Sequence, residues 1–257
     1  MQFAKSIMLL AALTAGTMAR PGGFERRQAT ATSSASSGSW TATPSSGSYA
    51  TAGFGSSTSS SGSGATYEGN VGNPYGSNII TVDSASASNY KYVAQFTGSN
   101  TDDWTVAIFN KYGSDGTMDG WYGNACHTFT LAAGETVYIA FDEDSNGGWA
   151  AASGTTIPTD TNGGYASTWG EFDFGSTTNS GWSGFDVSAI AAQNAGLTVS
   201  GMQICDALGS TCSSITADAA TVDNAYTSAE TDVGGIGGNL SSGPIDSWII
   251  LFREDGL

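Results

Sequence analysis

The chain has 257 residues, with 23 acidic against 7 basic side chains, a net charge of −16, and 36 glycines. A field of that sign repels phosphate backbones and anionic headgroups, so neither nucleic acid nor a basic-patch membrane contact is expected. No apolar run approaches the roughly 18 to 20 residues that span a bilayer, so no membrane insertion is expected.

At the N-terminus, Lys5 precedes an apolar run from Ile7 to Leu13, and Thr17 and Ala19 form the small pair before a cleavage point. The pattern is that of a signal peptide over 1–19, which implies secretion to the extracellular space. Residues 20–27 end in the dibasic pair Arg26-Arg27, the mark of a propeptide that a secretory-pathway endoprotease removes to leave Gln28 first. Without 1–27 the chain keeps three basic and 22 acidic side chains. Residues 28–65 are dominated by Ser, Thr, Gly and Ala, which bury too little apolar surface to offset the entropy of ordering. They read as a linker and a natural acceptor of O-linked sugar, interrupted by Trp40, Tyr49 and Phe54, which are candidates to dock on the domain C-terminal to them.

From 66 to 257 the composition becomes rich in aromatic and β-branched residues, enough for one domain with a substantial core. Strands are predicted at Ile79–Val82, Tyr92–Thr97, Trp104–Phe109, Cys126–Leu131, Val137–Phe141, Leu197–Ile204 and Trp248–Phe252, separated by Gly, Asn, Asp and Ser clusters. Ser114-Asp115-Gly116 and Ala133-Gly134-Glu135 carry hairpin chemistry. Only 217–229 has helical composition, with Val222, Tyr226 and Ala229 four and three apart. The fold expected is mainly β, an antiparallel β-sandwich with one short helix.

Between 168 and 190 the sequence TWGEFDFGSTTNSGWSGFDVSAI concentrates carboxylates and aromatic rings on two further short strands. Alternation sends Glu171 and Asp173 to one face and Phe172 and Phe174 to the other. A polar, hydroxyl-rich ligand needs acceptors beside flat rings, so Trp169, Glu171, Asp173, Trp182 and Asp186 are the candidate ligand-binding residues.

Other motifs point to less. Cys205 and Cys212 enclose a short loop and are expected to pair in an oxidising compartment. Cys126 is then unpaired; beside it stands His127, the chain's single histidine, but adjacent strand residues face opposite ways, so an inert thiol is expected over a nucleophile. Asp142, Asp144 and Asn146 with Gly147 open like a calcium loop, yet its twelfth position is Ser153, which offers no bidentate carboxylate, and a surface turn is the default. Asn239-Leu240-Ser241 is an N-glycosylation acceptor. No GxSxG, HExxH, CxxC or P-loop occurs, and the Gly234–Gly238 run lacks the strand-turn-helix setting of a nucleotide site, so no cofactor is expected.

A longer pattern joins WTATP, YATAGFG, GNVGNPYGSNII, VAQF, TDDWTV, DGWYGN, LAAGETVYIAFDEDS, GGYASTWGEFDF, GWSGFDVSAI, GMQIC and GIGG, in that order. In this it resembles the secreted fungal allergens typified by the Aspergillus allergen Asp f four. The resemblance implies an extracellular, wall-associated protein bound by IgE of sensitised hosts, with no established reaction. It departs from that family at Ala50 and Ser167, where relatives carry cysteines, which implies one bridge fewer. A fainter similarity is to thaumatin-like proteins: WGEFDF and FDVSAI are similar to their AEF and DVS segments, which would make Glu171 and Asp186 carboxylates of a β-1,3-glucan cleft. That family's further Asp falls at Ala191, and its many cysteines are absent. Three functions therefore stand side by side: a wall-polysaccharide binder, a structural or host-interacting protein with no ligand site, and a glucan hydrolase, which needs two opposed carboxyl groups.

Overall fold

The computed structural model describes residues 47–98, 101–207 and 211–253, and side chains as far as Ile245. The expected leader, the dibasic site and Trp40 lie outside these residues. Within them the chain forms β1 (Ile79–Val82), β2 (Tyr92–Gly98), β3 (Trp104–Asn110), β4 (His127–Leu131), β5 (Thr136–Phe141), β6 (Asn146–Ser153) and β7 (Trp169–Ser176). The later strands are β8 (Trp182–Ser188), β9 (Gly201–Cys205), β10 (Cys212–Ile215), β11 (Val222–Asp223), β12 (Gly238–Leu240) and β13 (Ile245–Arg253). Two short α-helices, α1 (Ser84–Ala87) and α2 (Ile190–Ala195), and single 3-10 turns at Gly64–Thr66, Thr177–Asn179 and Ala217–Ala219 complete the regular structure of the described residues.

The strands make two sheets, one ordered β1-β5-β2-β13-β9-β10-β11 and the other β12-β8-β7-β6-β3-β4. Neighbours run antiparallel except β13 and β2, which are parallel. The sheets face one another across an aromatic core: Phe141 of the first lies 4.8 Å from Phe172 and 4.7 Å from Phe174 of the second, and Phe96 lies 5.2 Å from Trp149. Such tilted and edge-on ring pairs add directional attraction to the burial of large apolar area. Gly170 is required here, because a Cβ at that position would sit 2.1 Å from the Trp149 indole.

Both outer faces are also covered. On the seven-stranded sheet, Val93 and Ala140 pack under Ala87 and Tyr90 with Ala50 and Phe54, the Phe54 ring meeting Tyr90 edge-on at 5.6 Å. Phe54 thus docks as its position in the low-complexity stretch suggested. The residues around it are tied down as well: Ser56 bridges Asn73, and the Ser57 hydroxyl donates to Asp142 at 2.6 Å. Asp144 accepts from the buried Tyr67 hydroxyl and from the Thr177 N–H at 3.0 Å. Asp142 and Asp144 therefore spend their oxygens clipping the 57–67 segment and the β7–β8 turn to the sandwich, while Asn146 is a buried strand residue. The calcium-loop opening is a structural clip whose three side chains serve different partners, and among the described residues no His, Cys, Asp and Glu group is arranged to hold a metal.

Local expectations are corrected where the pairing of the sheets decides. The helix expected over 217–229 does not form: Asp218, Ala219 and Asn224 take positive φ, Val222 and Asp223 pair with Ile215 and Ser214, and Tyr226 bridges to Ser188. Strand pairing at the sheet edge overrides a weak helical period. The Ala133–Glu135 turn, with Gly134 at φ 73°, joins β4 of one sheet to β5 of the other, so it is a corner between layers instead of a hairpin. Ser114–Gly116 is a turn in which the Asp115 carboxylate accepts from the Thr117 N–H and hydroxyl, within the long β3–β4 connection.

Cys205 and Cys212 are disulfide-bonded, directly opposed on β9 and β10. The Cys126 thiol donates weakly to the Ile108 carbonyl at 3.4 Å, and burial pushes its pKa up to about 11, the state of an inert thiol. The neighbouring His127 turns away to Thr81, 2.8 Å from its hydroxyl.

Candidate functional site

The outer face of the six-stranded sheet holds the chemistry. Register places Phe109, Gly148, Glu171 and Asp186 side by side across β3, β6, β7 and β8. Ala107, Ala150, Trp169 and Ser188 form the next row on the same face, two residues along each strand. Asn146 and Asp173 belong to the row on the other side, and Lys111, whose N–H donates to the Asn146 carbonyl at 2.9 Å, continues it. Four of the five residues singled out from sequence thus share one face: Trp169, Glu171, Asp173 and Asp186. Trp182 does not join them closely. It begins β8 four residues before Asp186, about 13 Å along the strand, and is 38% exposed.

These acids are buried, not solvated. Glu171 is 1% exposed, Asp173 2% and Asp186 0%, and both oxygens of Glu171 and Asp186 lack a hydrogen-bond partner. The last stretch of chain before β12 covers them. Gly237, at φ 110°, runs so close that a Cβ there would lie 2.7 Å from that of Asp186, and Tyr226, whose hydroxyl accepts the Ile236 N–H at 3.1 Å, feels the charges of Asp186 and Glu171. Burial raises the pKa of Glu171 and Asp186 well above the carboxylate range, and for Glu171 the neighbouring Asp186 adds to it. Two carboxyl groups this close in a dry setting hold protons that solvent-exposed acids release. Asp173 is pushed up to about 7, chiefly by burial, against hydrogen bonds from Ser176 and Asn146 that favour its charged form.

Lys111 is the residue that the sequence did not announce. It is 0% exposed, its Nζ has no hydrogen-bond partner, and burial drives its pKa down to about 8 despite the opposing pull of Asp173 and Glu171. Its signal was scarcity: beyond residue 27 only Lys91, Lys111 and Arg253 are basic.

Beside the acids lies a cavity of about 380 Å³. Trp121, Tyr122, Tyr165 and Trp169 supply its rings, and Asp160, Asn162 and Asn194 its polar rim. The rings are braced against one another, with Phe109 5.1 Å from Trp169 and 5.9 Å from Tyr165, and Trp121 6.3 Å from Trp169. The Trp169 indole N–H donates to the Tyr165 carbonyl at 3.1 Å, which fixes its orientation. Asp160 accepts the Asn162 and Gly164 N–H groups, shaping the loop that carries Tyr165. Trp169 is the one sequence candidate that lines this cavity. The others sit on loops and on α2, in DGWYGN, TDTNGGYAS and IAAQNA, where rings and amides among glycines were the available clue. Asn239 lies exposed on the edge strand β12, where its side chain is accessible to a glycosyltransferase.

Residues 77–248 match the Allergen Asp f 4-like domain. Allergen Asp f 4 of Aspergillus fumigatus is 51% identical over 208 residues, covering 81% of this chain and 65% of the relative, so the chain spans less than two-thirds of that protein's length. The crystal structure of the protein elicitor MoHrip2 from Magnaporthe oryzae aligns with 63% of this chain and 98% of its own at 13% identity and a TM-score of 0.37, a likeness too remote to bear on function. With a family match running from β1 into β13, the chain belongs to the Allergen Asp f 4-like family.

Proposed function

We propose that this chain is a secreted, wall-associated member of the family that holds wall polysaccharide, β-1,3-glucan first among the candidates, in the aromatic cavity beside β7. The observation that carries the reading is the cavity's composition: four aromatic rings braced in place and a rim of carboxylate and amide groups, in a volume suited to one or two sugar rings. Sugars offer flat C–H faces to rings and hydroxyls to amides and carboxylates, and the absence of any basic group from the lining suits a neutral chain. The leader-like N-terminus and the Cys205–Cys212 bridge support export to an oxidising space. Recognition by IgE is proposed from the allergen to which the chain is similar.

The test is retention of the full secreted chain on insoluble β-1,3-glucan, chitin and mannan. Retention on glucan that is lost in Tyr122→Ala and Asn194→Ala, with unchanged circular dichroism, supports the reading. Equal passage of the wild type through all three polymers overturns it. A hydrolase built on Glu171 and Asp186 has their direct cross-strand pairing in its favour and their burial against it, since a general acid must touch its substrate. Release of reducing sugar from laminarin that Glu171→Gln abolishes would replace binding by hydrolysis.

A further inference from the structure

Lys111, Asn146 and Asp173 stand in one row across three neighbouring strands. Lys111 follows directly on β3 and pairs with Asn146 of β6 through its backbone N–H, and Asn146 is directly opposed to Asp173 of β7. Opposed residues on adjacent strands project from the same face with Cβ atoms about 4.5 to 5.5 Å apart, a gap that the flexible four-carbon lysine stem can cross. All three side chains are buried, at 0%, 1% and 2% exposure. The Lys111 Nζ and the Asn146 Oδ1 are both without hydrogen-bond partners, while the Asn146 side chain is hydrogen-bonded to Asp173.

An ammonium group buried without a partner carries a large desolvation cost, and it lowers that cost by shedding its proton or by ceasing to be an amine. Burial moves the lysine toward the free amine and the aspartate toward the protonated carboxyl, with pKa values of about 8 and about 7. The row therefore brings together a nucleophile, an acyl carbon and a proton carrier, one on each of three adjacent strands and shielded from water.

We propose that Lys111 and Asn146 are joined by an intramolecular isopeptide bond whose formation Asp173 assists as proton carrier. The Nζ lone pair attacks Cγ of Asn146 while the Asp173 carboxyl protonates the carbonyl oxygen. The resulting Asp173 carboxylate takes a proton from Nζ. As the tetrahedral centre collapses, Nδ2 leaves as ammonia with the proton that Asp173 took from Nζ, and the carbonyl re-forms as its hydroxyl proton passes back to the Asp173 carboxylate. The Nζ–Cγ bond forms, the Cγ–Nδ2 bond breaks, one molecule of ammonia is released, and Asp173 ends as it began. No oxidant or other reactant is needed. The product replaces a buried cation by a neutral amide, and it fastens the connection that carries Trp121 and Tyr122 to the strand beneath them.

The test is a peptide map of the full secreted chain, because cyclisation of Gln28 at a mature N-terminus also loses ammonia and would confuse an intact mass. Digestion with a protease that cuts after aromatic residues should yield one cross-linked species containing Lys111 and Asn146, about 17 Da lighter than its two parts together. Trypsin should fail to cut after Lys111 in the unfolded chain. Lys111→Arg and Asp173→Asn should both return the two separate peptides. Free Lys111 peptide in the wild type overturns the proposal, whether or not the variants fold. A link to Asp173, with loss of water, overturns the assignment to Asn146, and a link that persists in Asp173→Asn overturns the role of Asp173.

Discussion

Replacing Asp173 by Asn should flatten the dependence of stability on pH. The folded-state pKa of Asp173 is raised from 3.8 to about 7. Below pH 3.8 the group is protonated in both folded and unfolded chains and contributes no pH dependence. Between 3.8 and about 7 the folded chain keeps a proton that the unfolded chain has lost, so the stability present in acid is lost as pH rises through this window. Three pKa units at 1.36 kcal/mol each set a ceiling of about 4 kcal/mol for this one group. For a domain of this size that corresponds to about 8 to 16 °C in Tm. Glu171 and Asp186, whose pKa values are also raised, act in the same direction. The assay is thermal unfolding followed by circular dichroism from pH 4 to pH 8 at constant ionic strength. The wild type should melt at highest temperature near pH 4, and Asp173→Asn should show a slope shallower by about one proton over the window. Any loss of the Lys111–Asn146 link in the variant shifts its whole curve without restoring that slope. A wild-type Tm that is flat or rises from pH 4 to pH 7, or a variant with an unchanged slope, would refute the burial argument.

Two further outcomes test the scaffold. Tyr67→Phe removes the hydroxyl that donates to Asp144, so it should cost about 1.5 to 3 kcal/mol in urea unfolding and speed cleavage of residues 47–66 by a non-specific protease. Unchanged cleavage would mean that the other contacts alone hold the segment. Replacing both Cys205 and Cys212 by Ser opens a loop of sequence separation 7, for an expected loss of about 2.5 kcal/mol with the fold retained. Global unfolding would show that the bridge staples more than its own hairpin.

Most of the architecture was legible because its cause is local. The alternation of Phe172 and Phe174 with Glu171 and Asp173 predicts which residues face the core, and β-branched runs mark β1, β2, β3 and β5. β6 was missed because NGGWAAAS is built from glycine and alanine, poor strand formers, and becomes a strand only by lying between β3 and β7. There the absence of side-chain bulk is what the neighbours need: a Cβ on Gly147 would sit 2.0 Å from the Phe109 carbonyl oxygen. The low-complexity stretch misleads in the same way, since its serines and threonines gain order from Asp142, Asn70 and Thr177, all outside the stretch.

For the site, the sequence by itself determined that Glu171, Asp173 and Trp169 share a face, because a strand has a period of two. It also determined that Cys205 and Cys212 could close a short loop. Only the tertiary structure decided that Asp186 lies directly opposite Glu171, that Lys111 and Asn146 complete the next row, and that a glycine-rich segment from the far end of the chain seals the carboxyl groups from water. The physical reason is that facing depends on a residue's own strand, whereas register, burial and charge depend on which strands become neighbours. Those neighbours are chosen by the packing of the two sheets as a whole.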